Sequence, residues 1–122
     1  MRALVVDDQD DIAEVLAMLL QRNGYEVETA SSAFEAIEKC GAGNFDIILS
    51  DIGMPGMNGF ELVRKLRQTE GGARLVIIAV TGYAVYDDRK RALHAGFDEV
   101  VTKPVGVHSL LVTIERLKKT KS

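Results

Sequence analysis

The fold of this chain is constrained most by an alternation, repeated five times, of short apolar runs and longer segments with helical periodicity. The runs that predict strands are residues 3–6, 25–30, 45–49, 75–80 and 100–102, and Val27 is the most apolar member of the second. The segments that predict helices are residues 9–23, 32–41, 60–68, 87–95 and 109–118. Strands that are apolar almost throughout must be covered on both faces. The alternation therefore predicts an α/β fold of the (βα)5 type, with a doubly wound parallel sheet.

Local signals support the predicted helices. Ser32 and Glu35 have the spacing of a capping box, which predicts the start of the second helix. Gly24, Gly41 and Gly96 occupy positions at which helices stop. In the first helix the apolar residues fall on one helical face, and they are Ile12, Val15, Leu16, Leu19 and Leu20.

Composition limits the classes of protein to which the chain can belong. Its 122 residues leave room for one domain, residues 1–122, and 47% of them are hydrophobic. A net charge of −3 argues against a broad surface for nucleic acid or membrane, so we expect no nucleic-acid partner and no direct membrane contact. Cys40 is the single cysteine, which excludes an intrachain disulfide. No apolar run reaches the ~18 residues of a membrane span, and we expect a cytoplasmic protein.

Ionisable or hydroxyl side chains follow four of the predicted strands, at the point where each strand ends. Asp7 and Asp8 follow the first strand, Asp51 the third, Thr81 the fourth and Lys103 the fifth. In an open parallel sheet the carboxyl ends of the strands form one edge, and ligands bind beyond it. We therefore expect three carboxylates, a hydroxyl and an ammonium group in one shallow pocket.

A divalent cation would make this set of side chains stable. Three crowded carboxylates repel one another, and without a cation at least one of them tends to take up a proton. Mg²⁺ prefers oxygen ligands and keeps positions open for water and phosphate. Lys103 adds a second positive charge, and Thr81 can donate to a phosphoryl oxygen. The set therefore suits phosphoryl transfer, which needs positioning and charge neutralisation.

Each of these residues also has a purely structural interpretation. Asp7 and Asp8 could cap the first helix, Asp51 could open a turn, and Thr81 and Lys103 could be a polar strand end and a solvated side chain. Taken singly, none of them indicates a function. Their joint occurrence at the ends of four strands of one sheet favours a shared site.

The sequence resembles the receiver domains of response regulators over essentially its whole length. Four motifs carry the resemblance, in the order and at the spacing of the family, and they are LVVDD at 4–8, DIGMPGMNGFE at 51–61, VTGYA at 80–84 and GFDEVVTKPV at 96–105. The resemblance implies a flavodoxin-like sheet with strand order 2-1-3-4-5. It also implies a cytoplasmic phosphoacceptor, either free or as the cytosolic part of a membrane-bound kinase. A histidine kinase or a histidine phosphotransfer domain would be the phosphoryl donor.

The resemblance also implies roles for individual residues. Asp51 is similar to the phospho-acceptor, Thr81 to the switch hydroxyl and Lys103 to the cation that pairs with the phosphate. Mg²⁺ would be held by Asp8, by Asp51 and by the backbone carbonyl of Gly53, with Asp7 nearby or acting through water. Pro104 matches the family's cis peptide after the lysine.

Two positions depart from a common pattern of the family. Many receivers have Tyr or Phe three residues before the lysine, as a ring that swings inward on activation, but this chain has Val100. Val105 stands where receivers of transcription factors often have Phe. The residues within the four motifs are more similar to those of receivers in hybrid histidine kinases, or of single-domain response regulators.

Two other functions fit the pattern less well. A small Mg²⁺-dependent phosphohydrolase with an aspartyl-phosphate intermediate usually carries Asp-x-Asp, but Gly53 occupies the second acidic position. A flavodoxin-like carrier of FMN needs a hydroxyl-rich loop after the first strand, where this chain has four acids among residues 7–11. His94 and His108 have no neighbouring acid in sequence and are expected at the surface.

Overall fold

The computed structural model describes residues 1–54, 56–69, 71–82, 86–103 and 105–121, and of residues 86–88 only the backbone. Strands and helices alternate along this part of the chain, as the sequence predicts. The strands are β1 (Arg2–Val6), β2 (Glu26–Ala30), β3 (Ile47–Asp51), β4 (Val76–Thr81) and β5 (Glu99–Thr102). The helices are α1 (Asp10–Gln21), α2 (Ala33–Ala42), α3 (Gly59–Arg67), α4 (Tyr86–Ala95) and α5 (Val107–Lys121).

The five strands form one parallel sheet in the order β2-β1-β3-β4-β5, which confirms the predicted topology. The chain first moves outward from β1 to β2 and then returns to β3 on the other side of β1. Strand order therefore reverses between β1 and β3, and a crevice opens beyond their carboxyl ends. No helix of the described residues is long and apolar enough to cross a membrane.

The core has two layers, one on each face of the sheet. Alternate residues of the central strands point to opposite faces, so Ile48 packs under α2, α3 and α4, whereas Leu49 packs under α1 and α5. Both are almost fully buried, as are Ile77 and Ile78 of the neighbouring strand. This double burial explains why the three central strands β1, β3 and β4 are apolar almost without interruption.

Side-chain caps set the starts of two helices, α2 and α3. The Ser32 hydroxyl accepts a hydrogen bond from the Glu35 N–H at 3.1 Å, as the capping-box spacing predicts. Asn58 does the same for α3, since its side-chain oxygen accepts from the Glu61 N–H at 3.0 Å. The sequence analysis did not predict this second cap, which fixes where the loop after β3 turns into helix.

The structure corrects some details of the sequence analysis. Val15 was grouped with the apolar face of α1 but is 55% exposed, because the buried face is centred on Ala13, Leu16, Ala17 and Leu20. With about 100° of rotation per residue, Val15 lies roughly opposite the centre of that buried face. The third strand begins at Ile47 instead of 45, and the last helix begins at Val107 instead of 109. A short 3₁₀ turn, Gly72–Arg74, lies between the third predicted helix and the fourth predicted strand.

Arg67 ties elements together at the edge of the sheet opposite the crevice. Its guanidinium donates to the carbonyl oxygens of Gly96, Gly72 and Leu75, and it pairs with Asp98 at 2.9 Å. Asp98 in turn accepts from the Ile77 N–H at 2.9 Å. A charged side chain that is mostly buried requires such partners, and here they join α3, β4 and the start of β5.

Candidate functional site

The residues predicted for the site all lie at the carboxyl edge of the sheet. Asp7 and Asp8 directly follow β1, Asp51 is the last residue of β3, and Thr81 is the last residue of β4. Lys103 follows β5 by one residue, and its backbone N–H donates to the Thr81 carbonyl at 2.8 Å. The parallel register of the central strands therefore brings side chains that are far apart in sequence to one place.

Three carboxylates form a compact acidic cluster. Asp7, Asp8 and Asp51 each offer one oxygen, and these oxygens lie within 4.8 Å of one another. Among the described residues, this is the one group of three or more His, Cys, Asp or Glu side chains that close together. Hard oxygen donors at this spacing fit Mg²⁺ better than a soft transition metal, which favours thiolate or imidazole ligands. The acidic cluster therefore has the chemistry expected of a magnesium site.

The three acids differ in their exposure and in their hydrogen bonds. Asp7 is only 2% exposed, and its Oδ1 accepts from the Gln9 N–H at 2.9 Å. Asp51 is partly buried, and its Oδ1 accepts from the Ile52 N–H at 2.8 Å. Asp8 is exposed at the mouth of the crevice. One oxygen of Asp7 and one of Asp51 are thus held by backbone donors, which fixes both side chains.

Lys103 lies closer to Asp7 than to Asp51. Its Nζ is 3.1 Å from Asp7 Oδ2, within hydrogen-bond distance, and 3.9 Å from Asp51 Oδ2. The ammonium group therefore offsets part of the charge of the acidic cluster. A buried carboxylate such as that of Asp7 needs a partner of this kind, because leaving it unpaired is costly.

The environment raises the pKa of the Asp51 carboxyl above its usual value. Burial is the largest cause, and the negative charge of Asp7 acts in the same direction. The Lys103 ammonium and backbone N–H groups of Ile52 and Gly53 act in the opposite direction but do not cancel it. A further positive charge nearby would therefore favour the ionised form of Asp51.

Gly59 holds the first turn of α3 against the backbone of Asp51. Its N–H donates to the Ile52 carbonyl at 2.8 Å. A Cβ atom at this position would lie 2.5 Å from the Asp51 carbonyl oxygen and 2.8 Å from the Ile52 Cα. The sequence analysis missed this role, although the glycine-rich loop after β3 was a signal that could have pointed to it.

Other predicted residues take the following positions. Thr81 is buried at the end of β4 and makes an interaction there. Gly53 is exposed two residues after Asp51, and the use of its carbonyl as a metal ligand stays a prediction. Val100 is partly buried against the core layer under α2, α3 and α4. His94 and His108 are exposed, as expected, and the cis peptide predicted at Pro104 lies outside the described residues.

Comparison with known proteins gives a family match over most of the chain. Residues 3–115 match the response regulator receiver domain. The sensor histidine kinase RcsC of Salmonella typhi is 35% identical over 126 residues, which cover 100% of this chain and 13% of that protein. The chain thus spans about an eighth of the length of this curated relative.

Solved structures show the same arrangement of strands and helices. The chemotaxis response regulator CheY4 of Vibrio cholerae superposes with a TM-score of 0.88 at 34% identity, covering 95% of this chain and 97% of that one. The response regulator TrrA of Thermotoga maritima, in complex with Mg²⁺ and BeF, superposes with a TM-score of 0.84 at 36% identity, again covering 95% and 97%.

Proposed function

We propose that this chain, which belongs to the response regulator receiver family of two-component systems, accepts a phosphoryl group on Asp51 with the help of Mg²⁺. The observation that carries the proposal is the meeting of the acidic cluster with Lys103 at one edge of the sheet. Receiver domains take their phosphoryl group from histidine kinases or phosphotransfer proteins. We assign the same class of donor to this chain.

The two oxygens of Asp51 are assigned different tasks. Oδ1 accepts a hydrogen bond from the Ile52 N–H, whereas Oδ2 lies 3.9 Å from Lys103 Nζ. We assign Oδ2 as the nucleophile. Its attack forms an O–P bond as the P–N bond of a donor phosphohistidine breaks, and the electron pair and a proton from solvent return to the imidazole. The product on this chain is an acyl phosphate.

The surrounding residues would neutralise and orient charge. Asp8, Asp51 and the Gly53 carbonyl would hold Mg²⁺, with Asp7 nearby or acting through water, and the ion would neutralise carboxylate and phosphoryl oxygens. Lys103 supplies the second positive charge from the β5 side of the site. The Thr81 hydroxyl, at the end of the neighbouring strand, is the candidate donor to a phosphoryl oxygen. The complex of TrrA with Mg²⁺ and BeF supports this assignment.

We propose that the phosphorylated domain signals through the face formed by α4, β5 and α5. This face adjoins both Thr81 and Lys103, so phosphorylation of Asp51 would alter residues next to it. Because Val100 replaces the common aromatic ring, Thr81 and residues 82–88, of which 83–85 lie outside the described residues, would carry the switch, with little movement at Val100. We further propose a hybrid histidine kinase as the parent protein, supported by the RcsC match. A single-domain response regulator is the alternative.

Intact-mass spectrometry after treatment with acetyl phosphate and Mg²⁺ tests the acceptor. We expect one added phosphoryl group, none in Asp51→Asn, and normal labelling in Asp10→Asn, which changes an exposed acid at the start of α1. Undiminished labelling of Asp51→Asn would disprove the assignment. Multiple turnovers of an external phosphomonoester such as p-nitrophenyl phosphate would instead favour the phosphohydrolase.

A further inference from the structure

A second, positively charged groove lies between α3 and α4, outside the acidic cluster. It has a volume of about 580 Å³, and its walls carry Arg64 from α3 and Lys90, Arg91 and His94 from α4. Among the residues whose side chains the structure describes, Glu61 is the one acid that lines it. These residues create a local positive surface on a chain whose net charge is −3. Such a reversal of sign selects for negatively charged ligands.

The floor of the groove holds one of these cations in place. The Arg91 guanidinium lies over the Phe60 ring, 4.9 Å from its centroid. Phe60 is only 9% exposed and makes an edge-to-face contact with Phe97, with ring centroids 6.4 Å apart. Cation–π contact with a buried ring orients the guanidinium before any ligand arrives, which lowers the entropy lost on binding.

We propose that this groove is a docking site for an acidic segment of a partner protein. Carboxylates spaced along such a segment can pair with Arg64 on one wall and Lys90 on the other, and guanidinium groups suit carboxylates geometrically. A nucleotide fits less well, because Arg91 covers the face of Phe60 on which a base would stack. Duplex DNA fits less well too, because it presents a charge every ~1.7 Å along a surface far longer than this groove.

The groove is connected to the acidic cluster through α3. Its wall begins at the first turn of α3, where Gly59 packs against the Asp51 backbone, and its other wall, α4, follows β4 and Thr81. Docking is therefore coupled to the state of the acceptor, an inference that rests on the proposed function. By linkage, an acidic segment that binds the phosphorylated form more tightly also stabilises phosphorylation.

Nuclear magnetic resonance titration of the ¹⁵N-labelled chain with a synthetic peptide of alternating glutamate and serine tests the docking site. We expect saturable shifts of α3 and α4 signals and none with the matching lysine–serine peptide. Arg64→Gln and Lys90→Gln should each weaken binding about two- to fivefold, the range for exposed ion pairs. Lys65→Gln is the matched control, because it removes an exposed charge on α3 that does not line the groove.

The same titration decides between the proposal and its competitors. Shifts centred outside α3 and α4, an equal effect of Lys65→Gln, or tighter binding of duplex DNA or of adenosine triphosphate at these helices would overturn it. A second titration with Mg²⁺ and beryllofluoride should change the peptide affinity at least about fivefold. Signals of Asp8 and Ile52 report beryllofluoride loading separately, so failure of the proposed function is distinguished from failure of docking.

Discussion

Lys103 pairs with Asp7, at 3.1 Å between Nζ and Oδ2, and lies 3.9 Å from Oδ2 of Asp51. Asp7 is the most buried of the three acids, so it is the carboxylate that gains most from a permanent partner. Asp51 is left with its crevice-facing oxygen less engaged and with a raised pKa. The ion pair thus compensates the buried charge of Asp7, whereas Asp51 has only a longer contact with Lys103.

Replacing Lys103 with glutamine should destabilise the metal-free protein, because Asp7 would then be buried without a cation. We expect a loss of about 1–3 kcal/mol in the free energy of unfolding. Urea denaturation in the presence of a chelator measures it. Mg²⁺ should restore more stability to this variant than it adds to the wild type, and Lys103→Arg should behave close to the wild type. Equal stability of Lys103→Gln and the wild type without metal would show that the pair contributes nothing.

Asp8→Asn should have opposite effects on stability and on metal binding. Removing one of three charges whose oxygens lie within 4.8 Å relieves repulsion, which we expect to stabilise the metal-free protein by about 1 kcal/mol. The same change should weaken Mg²⁺ binding sharply, because the ion has few protein ligands. Thermal unfolding with and without Mg²⁺ checks both effects, with Asp10→Asn as the control. Unchanged metal affinity would contradict the site assignment.

Gly59→Ala should disturb the acceptor without touching any ionisable group. The added Cβ would collide with backbone atoms of Asp51 and Ile52, so the backbone itself would have to shift. We expect a loss of about 1–3 kcal/mol of stability, together with slower phosphorylation from acetyl phosphate. Gly41→Ala in α2 is the control, since a Cβ there meets nothing within 4 Å and alanine favours helix. Similar behaviour of the two variants would refute this role of Gly59.

The thiol of Cys40 should react slowly with alkylating reagents. Burial raises the pKa of the Cys40 thiol to about 11, so little thiolate exists near neutral pH. Alkylation by iodoacetamide at about pH 8 should be on the order of a hundredfold slower in the folded protein than after denaturation. Mass spectrometry over time follows it. A rate equal to that of the denatured chain would show that the thiol is not shielded.

The same pKa shift makes stability depend on pH in the alkaline range. The folded state keeps the Cys40 proton to higher pH than the unfolded state does, so this contribution is complete at neutral pH. It is lost as the pH rises from about 9 toward 11. Urea denaturation of the wild type and of Cys40→Ala across this range isolates it. An identical decline in both proteins would assign the pH dependence to other groups.

The sequence by itself determined the order of the elements and the identity of the acidic residues. Strands buried on both faces must be apolar almost throughout, so the strands that contain Ile48 and Ile77 can be predicted from the sequence. The cap at Ser32 was also predictable from the sequence, because a capping box depends only on residues three positions apart. Asp7, Asp8 and Asp51 were identifiable for a related reason, since the end of each strand follows from the local apolar pattern.

Only the tertiary structure determines which residues distant in sequence contact one another. Lys103 and Asp7 are 96 positions apart, and only the parallel register sets which carboxylate the ammonium group reaches. The contact of Gly59 with Asp51 and the network around Arg67 likewise depend on where packed helices sit against the sheet. Local propensities do not encode such distances. The distances are set by how all the helices and strands pack together in one core.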